Sequence, residues 1–241
     1  MKKMMILCFS IILIFTGGCS MNDSQNGKNG NQEEAVKPKD MNPKDLPQVP
    51  AFQDEKTREY MASTREVEPG YYLLESKLKG FTMLFPEDGE YLSRRSSLKG
   101  KNKESIGFGS YDQATNILFD GHLTYHSGAS YANERETMLD IVRGKNGYKG
   151  EFEEKTSDDK VIYFAHMKDV DDDIDRKYNF TYSYFGYVKS IEADNTSLEF
   201  AFTFICKEDD KPCSLDESKA RKKVEKMINS ITFLKKEKLD G

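Results

Sequence analysis

Met4 to Phe15 (MMILCFSIILIF) is an unbroken apolar run of about a dozen residues. That length suits the hydrophobic region of a signal peptide and is too short to cross a bilayer. From Ser20 to Phe52 apolar residues become sparse and lose any period, while Asn, Gln, Gly, Lys and Pro dominate. Such a stretch buries too little surface to offset its ordering entropy, so it predicts a flexible tether, stiffened toward Pro43, Pro47 and Pro50. If it stays coil-like, some thirty residues reach roughly 30 Å. Asp54 to Glu66 is polar with good helix formers and predicts a short helix.

From Gly70 the spacing turns strand-like. Tyr71 to Leu74 and Gly80 to Pro86 (GFTMLFP) are short apolar runs, the second stopped by a proline that cannot donate to a central ladder. Further strands are predicted around Ser105 to Tyr111, Ile117 to His126, Lys160 to Met167, Tyr178 to Ser190 and Ser197 to Cys206. In the fourth of these, Phe180, Tyr182 and Tyr184 share one parity, the face turned to a core. Two segments carry helical spacing instead. Ser130 offers an N-cap for a run to Arg143, with Tyr131, Met138, Leu139 and Val142 on one side and Gly144 as the stop. Ser214 and Glu217 have capping-box spacing, and Ala220, Val224, Met227, Ile228 and Ile231 fall at i, i+4, i+7, i+8 and i+11. Successive strands with two amphipathic helices predict an α+β fold, an antiparallel β-sheet packed by two or more α-helices, as one globular domain over residues 54–241. The segment Gly80 to Pro86, a helix mid-chain, and a closing helix running into Ile228-Asn229-Ser230-Ile231-Thr232-Phe233 resemble the PsbP-like fold over about residues 68 to 235. That fold occurs in the extrinsic photosystem II subunit and in many bacterial lipoproteins. The Trp that often follows its proline strand is absent here. The resemblance implies a sandwich used mostly as a non-enzymatic accessory or binding module, and it supplies no catalytic residues.

Lys2 and Lys3 precede the apolar run and Thr16-Gly17-Gly18-Cys19 follows it. A positive end, an apolar run and small residues before a cysteine resemble the lipobox of bacterial lipoproteins, with Thr16 standing where Leu is usual. The resemblance implies a signal peptide over residues 1–18, a diacylglyceryl group on Cys19, palmitate-type acylation, and a tether over residues 19–53. Two acyl chains hold a protein stably where one holds it marginally, since each buried methylene contributes about 0.8 kcal/mol. The expected location is the extracytoplasmic face of the cell membrane.

Composition adds limits. About 220 residues remain after the signal, enough for one sizeable domain. The formal charge of −5 becomes −7 once Lys2 and Lys3 are removed, which argues against nucleic acid as a partner and against broad adhesion to anionic lipid. Cys206 and Cys213 bracket six residues; outside the cytoplasm they read as a disulfide, worth roughly 2.5 kcal/mol in the chain-entropy model. Free buried thiols are the alternative, and a metal site there lacks a third ligand. Asp169, Asp171, Asp173 and Asp175 alternate as in a calcium loop, but Ile174 and Phe180 stand where an EF-hand needs Gly and Glu. A solvated acidic loop is expected. His122 and His126, four apart on a strand, would lie about 13 Å apart, too far to chelate one ion. Gly107-Phe108-Gly109-Ser110 lacks phosphate-loop spacing and reads as close-packed sheet. Arg94, Arg95, Lys99, Lys101 and Lys103 form the basic cluster, a solvated loop or a weak interaction site for teichoic acid, phosphate headgroups or an acidic protein.

No catalytic, metal or cofactor motif stands out. The expectation is therefore a non-enzymatic, membrane-anchored lipoprotein without a cofactor, binding another envelope protein or a cell-wall polymer and supporting cell-surface or colony-level behaviour. The alternative is a solute- or ion-binding lipoprotein.

Overall fold

The computed structural model describes residues 36–170, 180–208 and 210–235. The lipobox with Cys19 and the acidic positions 171, 173 and 175 lie outside the described residues. Two short helices, α1 (Pro50–Gln53) and α2 (Glu55–Arg58), lead into strands β1 (Met61–Glu68), β2 (Tyr71–Glu75) and β3 (Phe81–Pro86). Then follow β4 (Glu90–Tyr91), β5 (Ser97–Lys99), β6 (Lys103–Asp112), β7 (Ile117–Ser127) and helix α3 (Arg135–Asn146). The rest is β8 (Glu153–Thr156), β9 (Lys160–Val170), β10 (Phe180–Ser190), β11 (Thr196–Cys206), α4 (Glu217–Asn229) and β12 (Thr232–Phe233).

The fold is α+β and its strand pairs are antiparallel, but they make two sheets rather than the single one expected. The larger runs β4-β6-β7-β11-β10-β9-β8, with β5 also paired to β6; the smaller runs β1-β2-β3-β12. Strand parity sorts the side chains. On the front of the large sheet Phe108, Phe119, Leu123, Phe164, Tyr184, Phe200 and Phe202 meet Leu74, Phe81, Met83 and Phe85 of the small sheet and the stripe Ala220, Val224, Met227 and Ile228 of α4. Ile231, just past α4, is also fully buried, so every residue of the expected stripe is used. On the back, Met138, Leu139 and Val142 of α3 cover Tyr163, Ala165, Phe185 and Tyr187 of β9 and β10. Among the described residues neither apolar cluster takes a side chain from the back of β6 or β7, and from the back of β11 only Ala201 joins the α3 cluster.

Two core-facing positions on the front are glycines. A Cβ on Gly121 would lie 2.5 Å from the Phe108 ring. One on Gly186 would lie 1.8 Å from the Tyr163 carbonyl oxygen and 2.8 Å from the Phe200 ring. Rings from neighbouring strands fill the space these glycines leave open.

The tether does not extend to Phe52. Leu46, Ala51 and Phe52 are buried in the main core, and the Phe52 ring meets Tyr72 edge-on at 4.7 Å. Ala51 N–H donates to Glu87 O at 3.0 Å. Prolines that looked like coil formers instead open helical turns at Pro38, Pro43 and Pro50, where a missing N–H costs nothing. The expected helix over 54–66 is only α2, capped by Asp54, before β1 begins.

Both long helices start later than their serines suggest. Ser130 opens a 3-10 turn, α3 begins after Glu134, and Gly144 lies inside the helix; the stop is Gly147, at φ 63°. Asp216, two residues after Ser214, is the cap and accepts from Lys219 N at 3.0 Å, while Ser214 N–H donates to Thr115 O at 3.2 Å in the preceding loop. The contribution of about 1 kcal/mol expected of such a cap therefore belongs to Asp216. Cys206 and Cys213 are joined by a disulfide with Cα atoms 5.7 Å apart. Asn116, buried at φ 55°, holds the loop they close, donating from Nδ2 to Glu208 O and Lys211 O and accepting Glu208 N on Oδ1. At the other end of α4, the buried Lys160 ammonium donates to Asn229 O at 2.9 Å and Ile231 O at 2.5 Å, satisfying carbonyls a helix end leaves orphaned.

Candidate functional site

The back of β6, β7 and β11 is where polar chemistry gathers. The register sets Lys103 opposite His126, Ser105 opposite Thr124 and Gly107 opposite His122 on adjoining strands. Gly107 has a second use. A Cβ there would lie 2.6 Å from Cβ of Arg95, so its absence lets the Ser93–Arg95 turn lie across the sheet. From that turn Arg95 pairs with Asp120. A cleft of about 280 Å³ results, lined among others by Arg95, His122, Thr124, Lys145, Glu199 and Thr203.

Glu199 in its lining is the centre of a hydrogen-bonded network. His126 Nε2 lies 2.7 Å from Glu199 Oε1, Tyr131 Oη lies 3.2 Å from His126 Nδ1, and Lys145 Nζ donates to Glu199 Oε2 at 2.5 Å. Burial pushes the Glu199 carboxyl up, but hydrogen bonds from His126 and Lys145 outweigh it and hold the pKa below the ordinary carboxylate value. Burial, then the nearby Arg95 charge, lowers the His122 pKa. Both shifts have the same consequence. The folded protein resists taking up these protons, so stability is fully present above the unfolded pKa values and is lost as pH falls through the folded ones. Glu199→Gln should reduce stability at neutral pH and flatten its decline between about pH 5 and pH 3. Urea melts at several pH values measure this, and the His122 contribution cancels between the two proteins. Equal acid slopes would show that Glu199 carries no such charge coupling.

The basic cluster divides in two. Arg95 is spent on Asp120, whereas Arg94, Lys99, Lys101 and Lys103 have no acidic partner among the described residues. Lys99 and Lys103 stand directly opposite each other across β5 and β6, joined by a turn at Gly100 (φ 60°) that carries Lys101. Leu98, paired with Glu104 on the hairpin's other face, is 54% exposed. The hairpin is fixed at its base by Ser96, whose hydroxyl accepts from Gly107 N at 2.8 Å and donates to Leu92 O at 2.9 Å.

Other sequence candidates sit elsewhere. The disulfide borders a separate cleft of about 510 Å³ whose lining includes Phe119, Phe204, Leu215 and Lys223. A third, of about 530 Å³, is lined by ion pairs such as Lys37–Glu75 and Lys77–Glu59 that neutralise one another. Among the described residues no three His, Cys, Asp or Glu side chains converge as a metal site. Sequence reasoning missed the network around Glu199. Its signal was a charge between Leu198 and Phe200 in a buried strand, which needs a partner on the neighbouring strand or helix.

Comparisons with known proteins place the chain. The family model described as "Putative lipoprotein YvcA" matches residues 47–232. A Bacillus subtilis (strain 168) protein of the same description is 70% identical over 241 residues, covering 99% of this chain and 100% of that one. Among solved structures, a mutant of the protein Mog1 aligns with a TM-score of 0.40 and 7% identity over 68% of this chain and 96% of that one. The Saccharomyces cerevisiae Ran-binding protein Mog1p aligns with a TM-score of 0.38 and 8% identity over 67% and 94%. Likeness at that level carries no argument about partners. The sequence matches show the family, since one spans most of the folded domain and the other the whole length: the chain belongs to the YvcA lipoprotein family.

Proposed function

We propose that this chain is a lipid-anchored accessory module that holds a component of the cell envelope at the extracytoplasmic face of the membrane and catalyses nothing. The observation that carries the reading is where its ionisable groups are spent. Buried ones serve the fold: Glu104 accepts from Lys77 N and Leu78 N, Lys160 closes α4, and Glu199 ties α3 to β7. Among the described residues, Arg94, Lys99, Lys101 and Lys103 have no acidic partner and lie together on the β5–β6 hairpin and the turn before it, while Lys44, Arg65, Lys149 and Lys222 stand unpaired singly elsewhere. The apolar run, Thr16-Gly17-Gly18-Cys19 and the lipoprotein family support a cleaved signal peptide and a diacylglyceryl anchor on Cys19. The closing helix running into β12 supports the PsbP-like reading of the fold.

Cys19→Ala is expected to release the protein from the membrane fraction while leaving the thermal melt of the folded domain unchanged. Fractionation of intact cells decides it, and wild-type membrane retention by the variant would sink the anchor. A role in colony-level surface behaviour is checked by comparing colony architecture of a deletion strain with and without the gene restored. The cleft over Glu199 supports a second reading, a module for a small polar solute, since Thr124, His122 and Thr203 offer donors and acceptors at its mouth.

A further inference from the structure

We infer that the β5–β6 hairpin, with Arg94, docks on the anionic headgroups of the same bilayer that holds the acyl chains. This rests on the lipid-anchored reading above and names the partner of its exposed charge. Three observations converge. Lys99 and Lys103 face each other in register, an arrangement that destabilises a hairpin unless an anion lies between or beside the charges. Arg94 and Lys101 add to it, and no acidic group among the described residues answers any of the four. Leu98, which precedes Lys99 and alternates to the other face of the same narrow hairpin, is 54% exposed. A phosphate polymer has no use for an exposed leucine, whereas a headgroup region with acyl chains beneath it accepts cations and an apolar side chain together.

The rest of the surface strengthens the choice. The mature chain carries −7, so an anionic bilayer repels the domain on average, and a patch of four unpaired cations biases its orientation. Sixteen residues separate Cys19 from Val36, a span of at most about 55 Å at full extension, so the anchor keeps the hairpin near the bilayer. A contact too weak to hold a free protein is then populated by effective concentration.

The chain contains no tryptophan, so Leu98→Trp places a single reporter on the hairpin. The acylated full-length variant is reconstituted in phosphatidylglycerol-containing vesicles and in pure phosphatidylcholine vesicles. Co-flotation with both reports the anchor alone, and its failure would overturn the anchored reading. In the anionic vesicles the emission should shift to the blue and be quenched by brominated acyl chains; in phosphatidylcholine it should stay water-like. Raising salt from about 0.1 M to about 1 M, which shortens the Debye length from about 10 Å to about 3 Å, should abolish the shift. So should combined Arg94→Gln, Lys99→Gln, Lys101→Gln and Lys103→Gln changes. A reporter at the exposed Val67 of β1, Val67→Trp, should stay water-like throughout. Co-flotation without any anionic-lipid shift overturns the docking. A shift caused by soluble poly(glycerol phosphate) but not by anionic vesicles would give the hairpin to a wall polymer instead.

Discussion

Gly186→Ala is expected to unfold at a much lower urea concentration than the parent chain. The added methyl would lie 1.8 Å from the carbonyl oxygen of Tyr163, a backbone atom in the neighbouring strand. That strand cannot step aside, because β10 is paired along its length with β9 on one side and β11 on the other. The Phe200 ring, 2.8 Å from the same point, closes the remaining direction. Overpacking a core with atoms that can move costs about 1–3 kcal/mol, and a backbone obstacle puts this change at or above the top of that range. Against a typical total of 5–15 kcal/mol this is a large fraction. Gly144→Ala provides the opposite sign within one protein. Nothing lies within 4 Å of its Cβ position, it sits inside α3, and alanine there should stabilise by about 0.5–1 kcal/mol. If the two variants shift the urea midpoint alike, the close approach around Gly186 is not what limits that position.

Phe202→Ala should cost about 3–5 kcal/mol. Phe202 is fully buried on the front of β11, with its ring centroid 6.2 Å from Phe108, 6.1 Å from Phe119 and 5.9 Å from Phe200. Phe108 in turn lies 4.9 Å from Phe85 of the small sheet. The ring therefore stands at the centre of an aromatic layer joining the two sheets, and its removal opens a cavity whose walls are themselves held by pairing. Calorimetric melts of the variant measure the loss. A change below about 1 kcal/mol would mean that the layer collapses into the space and is not held close-packed by the sheets.

What the sequence made legible follows from period. The α4 stripe could be read because its apolar residues repeat at helical spacing against a charged opposite face, and every one of them is buried. The Phe180, Tyr182, Tyr184 parity was legible for the same reason. Segment 36–53 was not, since Leu46, Ala51 and Phe52 are few, have no period, and are recruited singly into a core made by distant strands. Two sheets could not be told from one, because that division depends on long-range pairing such as β12 with β3. The helix starts were misplaced because more than one capping residue stands before each helix, and α4 is capped by Asp216 rather than by Ser214. Of the interaction surface, the basic residues were visible as a cluster. That Arg95 is neutralised and the other four are not depended on Asp120 being brought beside it by β7.

The pairing of β12 with β3 has a consequence for when the domain can exist. Thr232 and Phe233 are near the end of the chain, yet they complete a sheet whose other strands lie between Met61 and Pro86. Leu84 N also waits for the hydroxyl of Ser230, 2.8 Å away. A ribosome, or a channel threading the chain from its N-terminus, therefore delivers the small sheet's other three strands long before its fourth. Until the last turn of α4 arrives, the edge of β3 stays open and the Phe81, Met83 and Phe85 side chains lack the helix that covers them. The late strand thus acts as a clasp on the timing of folding: the small sheet is completed only when almost all of the chain has been made.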